Sequence, residues 1–142
     1  MEDGYFAMMA AVLGEERAEI QLPMKSFFDA GVVVTAASDY PVENPAYPLT
    51  GIQKGVLRQI PGQPSTLHGA TERVSVEQMI EATTINEAYQ LLCDDRLGNI
   101  AVGKEADLVV LGEDITQCEP GHIADAPVLG TMIGGEWVYA RS

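Results

Sequence analysis

The sequence predicts an α/β fold that passes into a β part toward the end of the chain. Apolar helical segments punctuated by glycine precede Val32–Ala37, a mostly β-branched run without polar alternation. Such runs are typical of strands buried on both faces of a parallel sheet. After Gly98 the chain turns to short β-branched runs around the pair Gly134-Gly135, which is typical of a hairpin. We therefore expect two portions, 1–95 and 96–142.

Helix signals recur through the first portion. Pro23 suits the first turn of a helix, where its missing N–H is no loss, and Gly31 suits the left-handed stop that follows a helix. Ser75–Gln78 and Thr84–Glu87 both have the pattern of a capping box, which favours two short helices over one long one. The predicted helices cover 5–13 with a continuation over 15–20, a segment from Pro23 to Gly31, 49–59, 76–83 and 85–93.

Three loops and three strands complete the expected chain. Prolines and polar residues make 38–45 a loop, and 60–74 and 112–127 read as longer ones. The last portion has predicted strands at 107–111, 128–133 and 137–140, the final two joined at Gly134-Gly135.

Composition narrows the class of protein. The chain has 142 residues, 46% of them hydrophobic, which supports a buried core and excludes wholesale disorder. Eight Lys and Arg against 21 Asp and Glu give a formal net charge of −13, which disfavours binding to nucleic acid and to anionic membranes.

The N-terminal residues and the cysteines bear on location. The acidic stretch Met1–Gly4 is unlike a signal peptide, and the apolar run Phe6–Leu13 is much shorter than a membrane span. Cys93 and Cys118 are too few for a disulfide scaffold and are expected to be reduced thiols. We therefore expect a soluble, cytoplasmic protein.

Few residues are candidates for chemistry. His68 and His122 stand far apart in glycine-containing loops, without a second ligand at metal spacing, and both are expected to be exposed loop histidines. Asp39 directly follows the predicted strand 32–37, and catalytic groups gather at such strand ends in parallel α/β folds. A carboxylate there can bind a metal or move a proton; an Asp that merely forms the turn before Pro41 is the other interpretation.

Three ordered segments resemble the C-terminal end of the amidohydrolase superfamily, in the branch of N-substituted formamide deformylases that also holds proteins labelled exoenzyme regulators. The resemblance covers about Gly4 to Arg141. Its segments are Phe27–Val42, Glu81–Ile100 and Gly103–Leu111, the last followed by the hairpin strands.

This resemblance implies the C-terminal part of a (β/α)8 TIM-type barrel in 1–95 and the C-terminal strands of a small β-sandwich in 96–142. It implies that 32–37 is the last barrel strand and that Asp39 binds the catalytic divalent metal, zinc, and shuttles a proton from the attacking water. Asp107 would be structural. The substrate would be a small amide-type molecule, with Tyr40, Asn44 and Tyr47 as pocket candidates. The hydrolase interpretation depends on a parallel strand at 32–37 with the acid in a following turn.

The superfamily's other metal ligands have no counterpart in this sequence. A full barrel takes about 250 residues, so the chain is expected to be a C-terminal piece that alone is inactive and holds no metal. Strands that lack their neighbours would leave open edges, and we expect a homodimer or larger assembly through them. The alternative is a non-enzymatic regulatory or interaction module derived from an amidohydrolase.

Overall fold

The computed structural model describes residues 3–42, 47–63 and 68–141. Helices occupy the first part of these ranges and a three-stranded sheet lies near the end. The α-helices are α1 (Asp3–Leu13), α2 (Glu15–Glu19), α3 (Met24–Asp29), α4 (Pro48–Leu57), α5 (Val76–Ala82) and α6 (Ile85–Gln90), with 3₁₀ helices at Ala70–Glu72 and Pro120–Asp125. The strands are β1 (Leu108–Leu111), β2 (Val128–Ile133) and β3 (Glu136–Ala140).

Individual residues with special backbone conformations set the ends of the early helices. Gly14, at φ 81°, separates α1 from α2, and Gly31, at φ 73°, follows α3 as the sequence predicts. Helix α4 begins with Pro48 at its first position and ends at Arg58, whose φ of 58° puts it in the left-handed region. That turn directs Arg58 away from the helix and toward the preceding segments.

The strand predicted at 32–37 is not present. Residues 32–38 have no strand assignment, and two of their backbone groups bond to the helices instead: Ala36 N–H donates to Ala82 O at 3.1 Å, and Asn86 Nδ2 donates to Val34 O at 2.9 Å. A strand needs a laddered neighbour, and within the described ranges no strand pairs with this segment. The run therefore forms no sheet, and its first two valines are about half exposed.

One capping box is confirmed and the other is wrong. Ser75 Oγ accepts from Gln78 N–H and Gln78 Oε1 accepts from Ser75 N–H, which starts α5. Thr84 precedes α6, but its hydroxyl donates back to Ile80 O at 2.6 Å and makes no cap. The Thr84 hydroxyl, which the sequence pattern predicted to cap α6, is thus hydrogen-bonded to the last turn of α5 instead.

The sheet is an antiparallel meander in the order β1-β2-β3. Gly134 and Gly135 form the predicted two-residue turn, both with positive φ. Asp107 Oδ1 accepts from Gly134 N–H at 2.7 Å, so the residue before β1 is hydrogen-bonded to the β2–β3 turn. All five residues of β3 are exposed.

The core joins the two predicted portions of the chain. Its buried side chains come from α4, from α5 and the segment just before it, and from the residues after β1: Ile52, Val74, Met79, Ile115, Ile123 and Ala126. The buried Gln53 Oε1 accepts from Ala124 N–H at 2.7 Å and ties α4 to the second 3₁₀ helix. No helix in the described ranges is long and apolar enough to cross a membrane.

Candidate functional site

Asp39 lies in a tight turn, as the sequence predicts. Its φ is 50°, a left-handed conformation that Asp tolerates better than most residues. Its carbonyl accepts from Val42 N–H at 2.8 Å, and the preceding Ser38 Oγ accepts from Tyr40 N–H at 3.3 Å. The residue is exposed, so its carboxylate faces solvent at the end of the segment 32–38.

A cleft of about 680 Å³ runs along this segment up to Ser38, the residue before Asp39. Its walls come from the α2–α3 connection, from α3, from residues 34–38 and from one side of α4. This volume is within the usual range for a small-molecule pocket. The cleft therefore adjoins the only carboxylate that sequence reasoning proposed for catalysis.

Arg58 lies at the base of the cleft with only 8% of its surface exposed. Its Nη2 donates to Gln21 O at 2.8 Å and its Nη1 to Leu22 O at 3.3 Å, so one guanidinium holds the α2–α3 connection against α4. Burial lowers the pKa of Arg58, while the charges of Glu72 and Glu19 raise it. The two acids thus offset part of the cost of burying this cation.

Two carboxylates are close enough to act on the charge of Arg58. Glu72, 7% exposed, accepts from Ser26 Oγ at 2.6 Å and from Ser26 N–H at 2.9 Å, and these bonds lower its pKa. Glu19 Oε2 accepts from Gly69 N–H at 2.5 Å. Together they connect α2 and α3 to the residues that precede α5.

The two histidines differ. His122 is exposed, as predicted, but His68 is only 6% exposed, which corrects the expectation of an exposed loop residue. Burial and the nearby charge of Arg58 lower the pKa of His68. Its backbone N–H donates to Arg58 O at 3.1 Å. His68 therefore lies against the end of α4 and is among the residues that line the cleft.

The predicted site residues are only partly brought together. Tyr47 lines the cleft, whereas Tyr40 is 68% exposed and is not among the lining residues; Asn44 lies outside the described residues. Sequence reasoning missed Arg58 and Glu87. Glu87 also lines the cleft, and burial raises its pKa. The one local sequence signal for this buried polar cluster was that an arginine, Arg58, directly follows the apolar end of α4.

A catalytic metal does not fit the described residues alone. In the ranges 3–42, 47–63 and 68–141, no group of three His, Cys, Asp or Glu side chains is placed to hold an ion. A catalytic zinc ordinarily uses three protein ligands, and Asp39 could supply one. Both cysteines are free thiols.

Comparison with known proteins identifies relatives over nearly the whole chain. N-substituted formamide deformylase of Arthrobacter pascens is 32% identical over 133 residues, which is 91% of this chain and 23% of that protein. Protein LONG AFTER FAR-RED 3 of Arabidopsis thaliana is 32% identical over 132 residues, 92% of this chain and 22% of that protein. The chain thus spans less than a quarter of the length of either.

A solved structure and a family profile agree with these relatives. The crystal structure of an amidohydrolase from Thermotoga maritima superposes with a TM-score of 0.60 at 23% identity, covering 83% of this chain and 26% of that one. This supports the fold as part of an α/β architecture. The profile of the Amidohydrolase family matches residues 1–139. The assignment therefore does not depend on a strand at 32–37, and the chain belongs to the amidohydrolase family.

Proposed function

We propose that this chain supplies the C-terminal part of a metal-dependent amidohydrolase that cleaves a C–N bond other than a peptide bond. The observation that carries the proposal is Asp39: an exposed carboxylate in a strained turn, beside a cleft of substrate size, in a member of the amidohydrolase family. The family generally uses a divalent metal, and we propose zinc.

In this proposal Asp39 does two things. It offers one carboxylate oxygen as a ligand, and it takes a proton from the attacking water and passes it to the leaving nitrogen. The remaining ligands would have to come from other parts of the full-length protein, because the described residues do not assemble a metal site. We therefore propose that the 142-residue chain alone is inactive and binds zinc weakly.

The substrate would be a small amide-type molecule that enters the cleft. Tyr47 lines the cleft and Tyr40 lies in the Asp39 turn, so both remain candidates for contacting it, as does Asn44 outside the described residues. The family and the name of the Arthrobacter relative favour a hydrolase over a non-enzymatic module. No described contact favours the module.

The experiment compares Asp39→Asn with Asp94→Asn in the full-length protein. Both are exposed acids, so the substitution is equally mild for folding. We expect Asp39→Asn to lower kcat by at least about hundredfold, the usual contribution of a positioned acid or base, and to lower the metal content. Asp94→Asn should match the parent. Full activity of Asp39→Asn would overturn the proposal.

A second measurement addresses the isolated chain. Calorimetry with zinc on the 142-residue protein is expected to show weak or no binding, with no hydrolysis of an N-substituted formamide. Tight one-to-one binding that Asp39→Asn removes would contradict the proposed incompleteness of the site. The proposal also includes a cytoplasmic location, no affinity for nucleic acid, and self-association through exposed strand edges.

A further inference from the structure

The segment that leads into the Asp39 turn is bonded to the junction between α5 and α6. Ala36 N–H donates at 3.1 Å to the carbonyl of Ala82, the last residue of α5. Asn86 Nδ2, from the second residue of α6, donates to Val34 O at 2.9 Å. Both bonds join residues that are far apart in the sequence, so they help to set where the segment lies.

These two bonds are close to Asp39 along the chain. Only Ala37 and Ser38 separate Ala36 from Asp39, and the partly buried Ala36 also packs against the core. The turn that follows is closed by bonds among its own residues. A displacement of the segment would therefore move the whole turn, and the Asp39 carboxylate with it.

The α5–α6 junction also contributes to the cleft. Thr83 and Glu87 line the cleft, as do residues 34–38. The bond from Asn86 to Val34 O therefore fixes the segment that precedes Asp39 relative to other cleft-lining residues. A misplacement of about 1 Å in an active site can slow the reaction on the order of hundredfold, so a contact of this kind bears on rate.

The side-chain amide of Asn86 is suited to this contact, whereas asparagine ranks low among helix formers. An acid at the same position would be favoured by the charge distribution at the start of a helix. An ionised carboxylate, however, accepts hydrogen bonds and has none to donate, so it cannot bond to Val34 O. The contact therefore needs a donor that helix formation itself does not require.

We propose that Asn86 is a positioning residue for Asp39. Its amide holds residues 34–38 against α6 and thereby sets where the Asp39 carboxylate lies beside the cleft. Asn86 acts through this segment and does not touch the substrate. The inference rests on the proposed function, because it takes Asp39 to be a group that participates in the reaction.

The first experiment measures steady-state kinetics of the full-length protein with formanilide, a simple N-substituted formamide. It compares Asn86→Ala and Asn86→Asp with the exposed Asn99→Ala as matched control. We expect both Asn86 variants to lower kcat at least about tenfold and to change KM less than about twofold, because substrate still binds while the carboxylate is misplaced. Asn99→Ala should match the parent. An unchanged kcat in Asn86→Ala, or a loss confined to KM, would overturn the inference.

The order of the two Asn86 variants separates positioning from packing. Asn86→Asp keeps the shape of the side chain and suits the start of the helix, but it removes the donor to Val34 O. We therefore expect Asn86→Asp to lower kcat at least as much as Asn86→Ala. Parental kcat in Asn86→Asp would mean that shape, rather than the hydrogen bond, is what matters, and it would also overturn the inference.

Amide hydrogen exchange of the 142-residue chain reports on the segment without turnover. In Asn86→Ala the Ala36 amide should exchange at least about tenfold faster, because the segment that carries its bond to Ala82 O has lost a neighbouring contact. The Ala88 amide, which donates to Thr84 O at the start of α6, should keep its parental rate. Unchanged exchange at Ala36, or equal acceleration at both amides through unfolding of α6, counts against a positioning role.

Asp39→Asn, measured in the same assay, distinguishes the two ideas. If Asp39→Asn loses activity and the Asn86 variants do not, only the inference fails. If the parent does not hydrolyse the formamide, or Asp39→Asn retains full activity, the proposed function fails. The exchange of the Ala36 amide then still decides whether Asn86 holds the segment.

Discussion

Glu72 accepts two hydrogen bonds from Ser26, one from its hydroxyl at 2.6 Å and one from its backbone N–H at 2.9 Å. The two residues are 46 positions apart, and this contact brings the first 3₁₀ helix onto the start of α3. The charge of Glu72, like that of Glu19, also acts favourably on the buried Arg58 cation. Three separate stretches of chain are thus held by one polar cluster.

The first prediction concerns acid stability. The folded protein lowers the pKa of Glu72 from 4.5, so the carboxylate stabilises the fold above that value and the stabilisation is lost as pH falls through the folded pKa. We expect Glu72→Gln to be less stable than the parent at pH 7, with the difference shrinking in acid. Urea unfolding from pH 7 to pH 3 measures this, with the exposed Glu81→Gln as control. A constant difference across that range would refute the assignment.

The second prediction concerns Arg58. Arg58→Met keeps the bulk but removes the donors to Gln21 and Leu22 and leaves the two acids without their cation. A hydrogen bond from a charged group typically contributes about 1.5–3 kcal/mol, and we expect a loss near the lower end because Leu22 is exposed and its carbonyl can bond to water instead. Chemical denaturation measures the loss, with exposed Arg17→Met as control. Combining Arg58→Met with Glu72→Gln should cost less than the sum of the two single changes.

The third prediction uses two glycines of α4. A Cβ on Gly55 would lie 2.2 Å from Met79 Sδ, whereas a Cβ on Gly51 meets nothing within 4 Å. Gly55→Ala should therefore destabilise by about 1–3 kcal/mol through overpacking. Gly51→Ala should stabilise by roughly 0.5–1 kcal/mol, since alanine is the better helix former. Thermal unfolding distinguishes them; similar shifts for both variants would contradict the packing described between α4 and α5.

The fourth prediction tests self-association. An antiparallel two-fold pairing of β3 with a second copy can set Glu136 opposite Arg141 at both ends while Val138 meets Tyr139. Light scattering at about 0.15 M salt, where distant charges are screened, should then show a dimer. Glu136→Arg alone should weaken it, and Glu136→Arg with Arg141→Glu should restore it. A monomeric parent chain, or no recovery in the double variant, would argue against this edge.

The elements that sequence reasoning predicted correctly are those fixed by neighbouring residues. The Ser75–Gln78 box, the Gly31 stop and the Gly134-Gly135 turn each involve groups within a few positions of one another. The Thr84 box fails because a nearby carbonyl, Ile80 O, offers its hydroxyl an equally local partner. A capping-box pattern therefore shows where a helix cap can form, but not whether the side chain will find another hydrogen-bond partner nearby.

The errors are in features that depend on distant contacts. A strand at 32–37 requires a neighbour that no residue in the described ranges supplies, and the burial of His68 depends on Arg58, ten positions earlier, at the end of another element. Asp39 could be placed in its turn from the residues around it, but the cleft beside it could not. Its walls come from α3 through α6 and the segments between them, and only the folded chain brings these together.

Gly69 illustrates what the polar cluster demands of a residue that lies in no helix or strand. Its φ is 64°, and a methyl group on its Cα would come within 2.7 Å of Arg58 Nη2 and 2.9 Å of Glu19 O. In a saturation mutagenesis library selected for soluble expression, this position should tolerate substitution as poorly as the hydrophobic interior does. Intolerance to substitution at a residue outside any helix or strand can therefore result from close packing around a guanidinium. It need not indicate a catalytic residue.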